Sequence, residues 1–408
     1  MRIAVTGFVS GQAGSVASAN ALLLQALLAQ GCEIRFFSKA SFVDPREAVG
    51  PHPAFEFKDV DNRLADRFRA KVERIPLLGR FAGILDATTY NLLLVRKFRQ
   101  AHQERKFDLC LWLGDYANGS VKGLPTVSFA QGPPGTDARS LIERFAEISR
   151  LAGNAAAWKW RIMARFRLSR FGLPKFLHSD CFIVGSKQSA RTMRVRYGIP
   201  ERELRLLPYP IDLAMFNLPA SPPPPSPALR VLWLGRIIPR KRLDLFLDGA
   251  AEAIRRGVNV QLSIVGGVGF VPGYEKLIEQ FPFPERLKWT PSLPRSEVPA
   301  LLHAHDILAQ PSEEENFGSS VAEAQACGLP VIIGATNGNA DYLCPRDIHL
   351  ADYRVTTYAE ALETMAHRKA HGNWGDPAES RKLAENCFSL GKLTDQLIQI
   401  LREVAKPS

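Results

Sequence analysis

Residues 311–330 read Pro-Ser-Glu-Glu-Glu-Asn-Phe-Gly-Ser-Ser-Val-Ala-Glu-Ala-Gln-Ala-Cys-Gly-Leu-Pro, and this stretch decides the fold. A short apolar strand, Ile307-Leu308-Ala309, leads into it. Small helix-forming residues follow until Gly328 and Pro330 stop them. A further apolar run begins at Val331. Strand, polar loop, helix, strand is the repeating unit of a parallel sheet covered by helices. Glu315 falls in the loop and Glu323 one turn or so inside the helix, while Ser319 and Ser320 stand where an N-cap belongs. A helix start offers N–H donors to phosphate. Carboxylates on either side of it suit hydroxyls. The pattern predicts a site for a ligand carrying both.

Working outward, the same alternation fills the chain. Strands are expected at Arg2–Phe8, Glu33–Ser38, Asp108–Leu113, Thr126–Ala130 and Cys181–Val184, with a helix over Ala17–Gln30. The Pro-rich run 218–228, containing Pro222–Pro225, reads as an extended linker. Strands resume at Arg230–Gly235, Val260–Val265, Arg286–Trp289, Ile307–Ala309 and Val331–Gly334. The expected organisation is α/β, with two Rossmann-like doubly wound domains. Residues 1–212 form the first, 213–228 the linker and 229–375 the second; helices in 376–408 are expected to cross back to the first domain.

Composition limits the function classes. The chain has 408 residues, a net charge of +11 and six scattered cysteines without a C-x-x-C pair. That argues against a disulfide framework or zinc site and suits a reducing compartment. Met1-Arg2 leads directly into the first strand, and no apolar run reaches membrane-spanning length, so a cytoplasmic or peripheral protein is expected. The single Asp-x-Asp, Asp59-Val60-Asp61, lies away from the decisive stretch; His303 and His305 should point to different faces of a helix. Neither is expected to bind metal.

A second motif follows the strand Val231–Leu234: Gly235-Arg236-Ile237-Ile238-Pro239-Arg240-Lys241-Arg242. Ligands in parallel sheets sit beyond the carboxyl ends of strands. There Arg236 and Lys241, a fork donor and a point charge, suit a diphosphate. The loop Gly7–Ser15 is rich in glycine yet has no G-x-G-x-x-G, and no acid closes the strand Ile34–Ser38, which argues against a nicotinamide enzyme.

Together these residues resemble the family-4 (group 1) retaining glycosyltransferases of the GT-B fold. The resemblance rests on the Glu315–Glu323 element, the Arg236/Lys241 turn, the loop with Gly11 and Gly14, and Pro208-Tyr209-Pro210-Ile211-Asp212 before the linker. It implies transfer from a nucleotide-diphosphate sugar, a UDP- or GDP-sugar, to a glycan or lipid-linked acceptor in polysaccharide or glycolipid synthesis. No metal or other cofactor is implied. Arg236 and Lys241 would neutralise the leaving diphosphate, beside Gly235. Glu315 would hold sugar hydroxyls with the N–H groups of Asn316, Phe317 and Gly318. Ser319 and Ser320 would meet the distal phosphate, and Glu323 the ribose. Gly14 would let the first domain close on the donor, and the backbone near Thr290 and Leu293 would face the base. Many relatives carry a His where this chain has Gln131. Gln can hydrogen-bond a sugar hydroxyl but cannot exchange a proton; it either contacts the sugar or satisfies loop backbone. Asp137 is a nearby polar alternative.

The positive charge is concentrated in the first half. Residues 63–106 hold 11 Lys/Arg against 4 Asp/Glu, and 155–205 hold 12 against 3. In 157–173 Trp158, Ile162, Phe166, Leu168 and Phe171 interleave with Lys159, Arg161, Arg165, Arg167 and Arg170, a pattern that suits an anionic membrane surface or a solvated helix over a core. A sugar-nucleotide epimerase on the same fold and a polyanion-binding module are the alternatives. Aromatic-rich basic strands of RNA readers are absent, and Glu315 and Glu323 disfavour polyanions, so nucleic acid is not an expected partner.

Overall fold

The computed structural model describes residues 1–10, 15–40, 44–60, 82–130, 132–169, 178–221 and 224–406. Gly11, Gly14, Gln131, Asp61, Arg170 and Phe171 lie outside these residues. Two parallel sheets carry the fold. In the first, β1 (Arg2–Gly7), β2 (Glu33–Ser38), β3 (Phe55–Asp59), β4 (Leu109–Leu113), β5 (Thr126–Phe129), β6 (Cys181–Val184) and β7 (Leu204–Leu206) run in the order β3-β2-β1-β4-β5-β6-β7. In the second, β8 (Leu229–Leu234), β9 (Val260–Val265), β10 (Leu287–Thr290), β11 (Ile307–Gln310), β12 (Val331–Ile333) and β13 (Ile348–His349) run in the order β10-β9-β8-β11-β12-β13. This is the GT-B arrangement of two Rossmann-like domains.

The central strands β4, β5, β6 and β11 are buried throughout, because helices cover both faces. Helix Leu243–Arg255 places Leu243, Phe246, Leu247, Ala250 and Ala251 on one stripe and buries them with Trp233 and Ile264. Each such large side chain contributes about 1.5–3 kcal/mol relative to exposure. Strand order reverses between β1 and β4 in the first sheet and between β8 and β11 in the second. The crevices beyond the carboxyl ends at these reversals are where such sheets bind ligands.

The expected last helical stretch is two helices, Pro377–Phe388 and Leu390–Ala405, separated by the extended Ser389. Leu393, Leu397, Ile398 and Leu401 of the second join the core of the first domain, packing on helix Ser15–Ala29. Helices Thr136–Glu143, Phe145–Ala152 and Asn154–Leu168 come from the first half of the chain. They nevertheless bury Ala138, Leu141, Ile148, Leu151, Ala157 and Ala164 in the core of the second domain. Helix Ala82–Glu104 turns Leu94, Phe98 and Ala101 into a small core with Phe37 and Trp112, so this part of the basic stretch covers a core. Among the described residues no helix is long and apolar enough to cross a membrane.

Candidate functional site

The loop after β11 enters the crevice between β8 and β11. Gln310 anchors it: its Nε2 donates to the Leu234 carbonyl (3.3 Å) and to Ser320 Oγ (2.7 Å), tying the end of β8 to the helix Ser319–Ala326. The three consecutive acids of this loop then meet separate cations. Glu313 accepts from Arg242 Nη1 at 2.6 Å and also pairs with Arg144. Glu314 accepts from Arg139 Nε at 2.7 Å. Glu315 accepts from Arg240 Nη1 at 2.9 Å and Lys241 Nζ at 2.5 Å.

The turn that supplies Arg240, Lys241 and Arg242 is a short 3-10 segment, Pro239–Lys241. Arg242 and Glu314 are the two non-glycine residues with left-handed backbone among the described residues, at φ 52 and φ 47. Such conformations cost of order 1–3 kcal/mol each and persist where surroundings over-determine them. Here the surroundings are ion pairs and a backbone bond, with Glu313 N–H donating to the Arg240 carbonyl at 2.7 Å. Close approach is also built in elsewhere: a Cβ on Gly338 would lie 1.9 Å from the Asn316 carbonyl oxygen.

Electrostatics follow from burial. Burial alone would raise the Glu315 carboxyl, but Arg240 and Lys241 override it and bring it down to about 2. Glu315 is therefore ionised across the neutral range. Burial lowers Lys241, with Arg240 and Arg236 adding to the effect against the pull of Glu315. Arg240 also donates Nε to Asp137 Oδ1 at 2.6 Å, joining helix Thr136–Glu143 to Glu315. Arg236, two residues past the end of β8, is exposed, and its charge acts on Lys241.

Glu323 is 2% exposed, on the buried side of its helix. Burial raises its carboxyl despite the opposing charge of Arg295, whose Nη2 donates to Glu323 Oε1 at 2.9 Å. Arg295 lies over the Phe216 ring, 5.2 Å from its centroid. Thr290 ends β10 and its carbonyl accepts from Gly266 N–H at 3.0 Å. Leu293 is half-buried against the core.

Three expectations change in detail. The N-cap is Gly318, not Ser319 or Ser320, which are the first two helical residues; Ser320 Oγ is taken by Gln310. The Gly318 N–H is engaged too, donating to Asn339 Oδ1 at 2.6 Å, so it is not available to a ligand in this arrangement. His303 ends its helix and His305 lies beyond it; both face backbone carbonyls, of Asn217 and Leu301. Asn316 and Phe317 have a structural task besides. Asn316 Nδ2 donates to the Ala130 carbonyl (3.3 Å) and its Oδ1 accepts from Gly185 N–H (3.1 Å) of the first domain. Phe317 packs on Tyr209, Tyr342 and Phe388. The flanks of Gln131 thus reach this loop, since Gly132 also lies against Asn316.

Sequence reasoning missed Arg240 and Arg295. The first had a signal, a run of three cations matched by a run of three acids. The second pairs across 28 residues and had none. Among the described residues, no three or more His, Cys, Asp or Glu side chains cluster as metal ligands.

Residues 217–386 match the family described as glycosyl transferases group 1. The D-inositol 3-phosphate glycosyltransferase of Segniliparus rotundus is 29% identical over 175 residues, covering 39% of this chain and 38% of that one. A GDP-mannose-dependent alpha-(1-6)-phosphatidylinositol monomannoside mannosyltransferase of Mycolicibacterium smegmatis is 27% identical, covering 46% and 51%. The matches thus span about half, or less, of those relatives' lengths. Among solved structures, sucrose-phosphate synthase of Thermosynechococcus elongatus superposes with a TM-score of 0.66 at 18% identity, covering 99% of both chains. Anabaena HepE in complex with UDP-glucose superposes at 0.64 and 16% identity, covering 98% of this chain and 99% of that one. By fold, the chain is a GT-B protein. Its residues 217–386 are similar to the group 1 glycosyltransferases.

Proposed function

We propose that this chain transfers a sugar from a UDP- or GDP-sugar to a glycan or lipid-linked acceptor, with retention of configuration and without a metal ion. The observation that carries the proposal is the buried Lys241–Glu315 pair at the strand-order reversal, with Arg240 beside it and Arg236 at the rim. On donor binding, Lys241 turns from Glu315 to the diphosphate and Arg236 joins it. Glu315, released and still ionised, accepts hydrogen bonds from the sugar hydroxyls. Glu323 takes the ribose hydroxyls, and the backbone around Thr290 and Leu293 lines the base. The bond from the anomeric carbon to the phosphate oxygen breaks while the acceptor oxygen bonds the same face. The acceptor proton passes to the leaving diphosphate. Fixed cations where that charge develops are the main source of acceleration. Gln131 and Gly14 complete the first-domain side in this reading. Work on a lipid-linked acceptor places the protein peripherally at the cytoplasmic face of a membrane, in cell-surface polysaccharide or glycolipid synthesis.

The test is transfer from a panel of UDP-, GDP- and ADP-sugars, followed by product mass and anomeric NMR. A product with the donor's anomeric configuration, formed equally in a chelator, is expected. An inverted product contradicts retention, and activity that returns only with added divalent metal contradicts metal independence. An epimerised nucleotide sugar without transfer would favour the epimerase alternative.

A further inference from the structure

Helix Asn154–Leu168 is apolar on two sides. Its small residues Ala157 and Ala164 are fully buried in the second domain's core, and Trp160 packs on Phe270. Its opposite side is where an apolar row is uncovered. Trp158 is 50% exposed, Ile162 63% and Phe166 47%, at spacings of four residues that stack them along one face. They are three of the ten large hydrophobic side chains exposed among the described residues, and here they are contiguous. A row of this kind on a folded surface marks a contact with something apolar.

The row is also held in place. Trp158 meets the Phe145 ring edge-on with centroids 5.0 Å apart, and the Arg161 guanidinium lies 4.7 Å from Phe145 and 5.3 Å from Trp158. The charges of the helix itself have one sign. The helix carries Lys159, Arg161, Arg165 and Arg167 and no acid, and Lys159, Arg165 and Arg167 are exposed beside the row. A second copy of this chain docking here by two-fold symmetry would set these cations against themselves. An anionic lipid surface satisfies both features at once. The row enters the acyl boundary and the cations meet phosphates, their stems lying along the apolar side.

We infer that the exposed face of helix Asn154–Leu168, centred on Trp158, Ile162 and Phe166, is a docking surface for an anionic lipid membrane. Because this helix is anchored in the second domain's core and packs on the helix that carries Asp137, docking sets the cleft at a fixed height over the bilayer. The inference stands on the surface alone and does not depend on the sugar-transfer reading.

Flotation of the full chain with vesicles of phosphatidylcholine, with and without phosphatidylglycerol, tests it. Binding only to the anionic vesicles is expected, weakening as salt is raised. Ile162→Glu should reduce binding about tenfold or more, since a buried apolar contact becomes a buried charge. Phe166→Ser and Arg165→Glu should each reduce it several-fold. All three side chains are exposed, so melting temperatures should stay at the wild-type value, and so should donor-induced thermal shifts. Wild type that binds neither vesicle overturns the inference. So does binding that survives Ile162→Glu and Phe166→Ser, or concentration-dependent self-association that Ile162→Glu abolishes.

Discussion

Two cationic runs in this chain have opposite fates. Arg240-Lys241-Arg242 is largely buried, and each member meets a carboxylate of Glu313 or Glu315 or of a neighbouring helix. The cations of helix Asn154–Leu168 stand largely exposed, with no acid on their own helix. In the sequence both are basic patches. The difference lies in the partner. A run of cations matched by a run of acids from a distant loop forms a fixed, buried ion-pair cluster. A run with apolar neighbours and no acid faces a surface. Charge density by itself distinguishes neither case.

The sharpest way to break this comparison is to remove one member of the buried cluster. Lys241→Ala should lower sugar transfer by about a thousandfold or more, as expected when a fixed charge at the leaving group is lost; transfer within tenfold of wild type would break the assignment. Glu315→Ala should cost more in stability than any exposed substitution, about 3–5 kcal/mol, because Arg240 and Lys241 lose a buried counter-charge. Chemical denaturation reads this directly, and a loss under 1 kcal/mol would contradict it. Next in size is Arg295→Ala. It removes the partner of buried Glu323, and the donor KM should rise about tenfold with kcat little changed, whereas Arg295→Lys should recover part of the loss. A fall confined to kcat would show that Arg295 does not act through donor binding.

The pH dependence sharpens the contrast further. Glu315 has a folded pKa of about 2 against an ordinary 4.5. A depressed carboxyl stabilises the fold fully above the unfolded value and loses that stabilisation as pH falls from about 4.5 toward 2. Denaturation midpoints should fall across that window, and less steeply in Glu315→Gln; equal slopes would remove Glu315 as the source. The smallest effect belongs to the exposed helix. Arg165→Ala should change stability by no more than about 0.5 kcal/mol in the absence of lipid.

Much of the fold was legible because buried parallel strands are written as continuous apolar runs. Cys181–Val184 and Val260–Val265 have the bounds their sequences indicate. The strands that escaped notice are edge or near-edge strands. Phe55–Asp59 alternates with charges and is half-exposed, while Leu204–Leu206 and Ile348–His349 are too short to show a period. In the site, Glu315 and Lys241 were legible through local spacing. The Gly318 cap was not, since Ser319-Ser320 offered the better capping chemistry and the turn was decided by Asn339, which takes the Gly318 N–H. Nor could sequence show that helices from the first half lie on the second core. That depends on Ala138, Leu141 and Ile148 finding partners a hundred residues away.

Calorimetric titration of UDP- and GDP-sugars into wild type, Lys241→Ala and Arg165→Ala tests the central claim most directly. The account predicts that one donor binds wild type and Arg165→Ala alike and that binding is lost in Lys241→Ala. Equal binding in Lys241→Ala, or no binding of any nucleotide sugar to wild type, would contradict it.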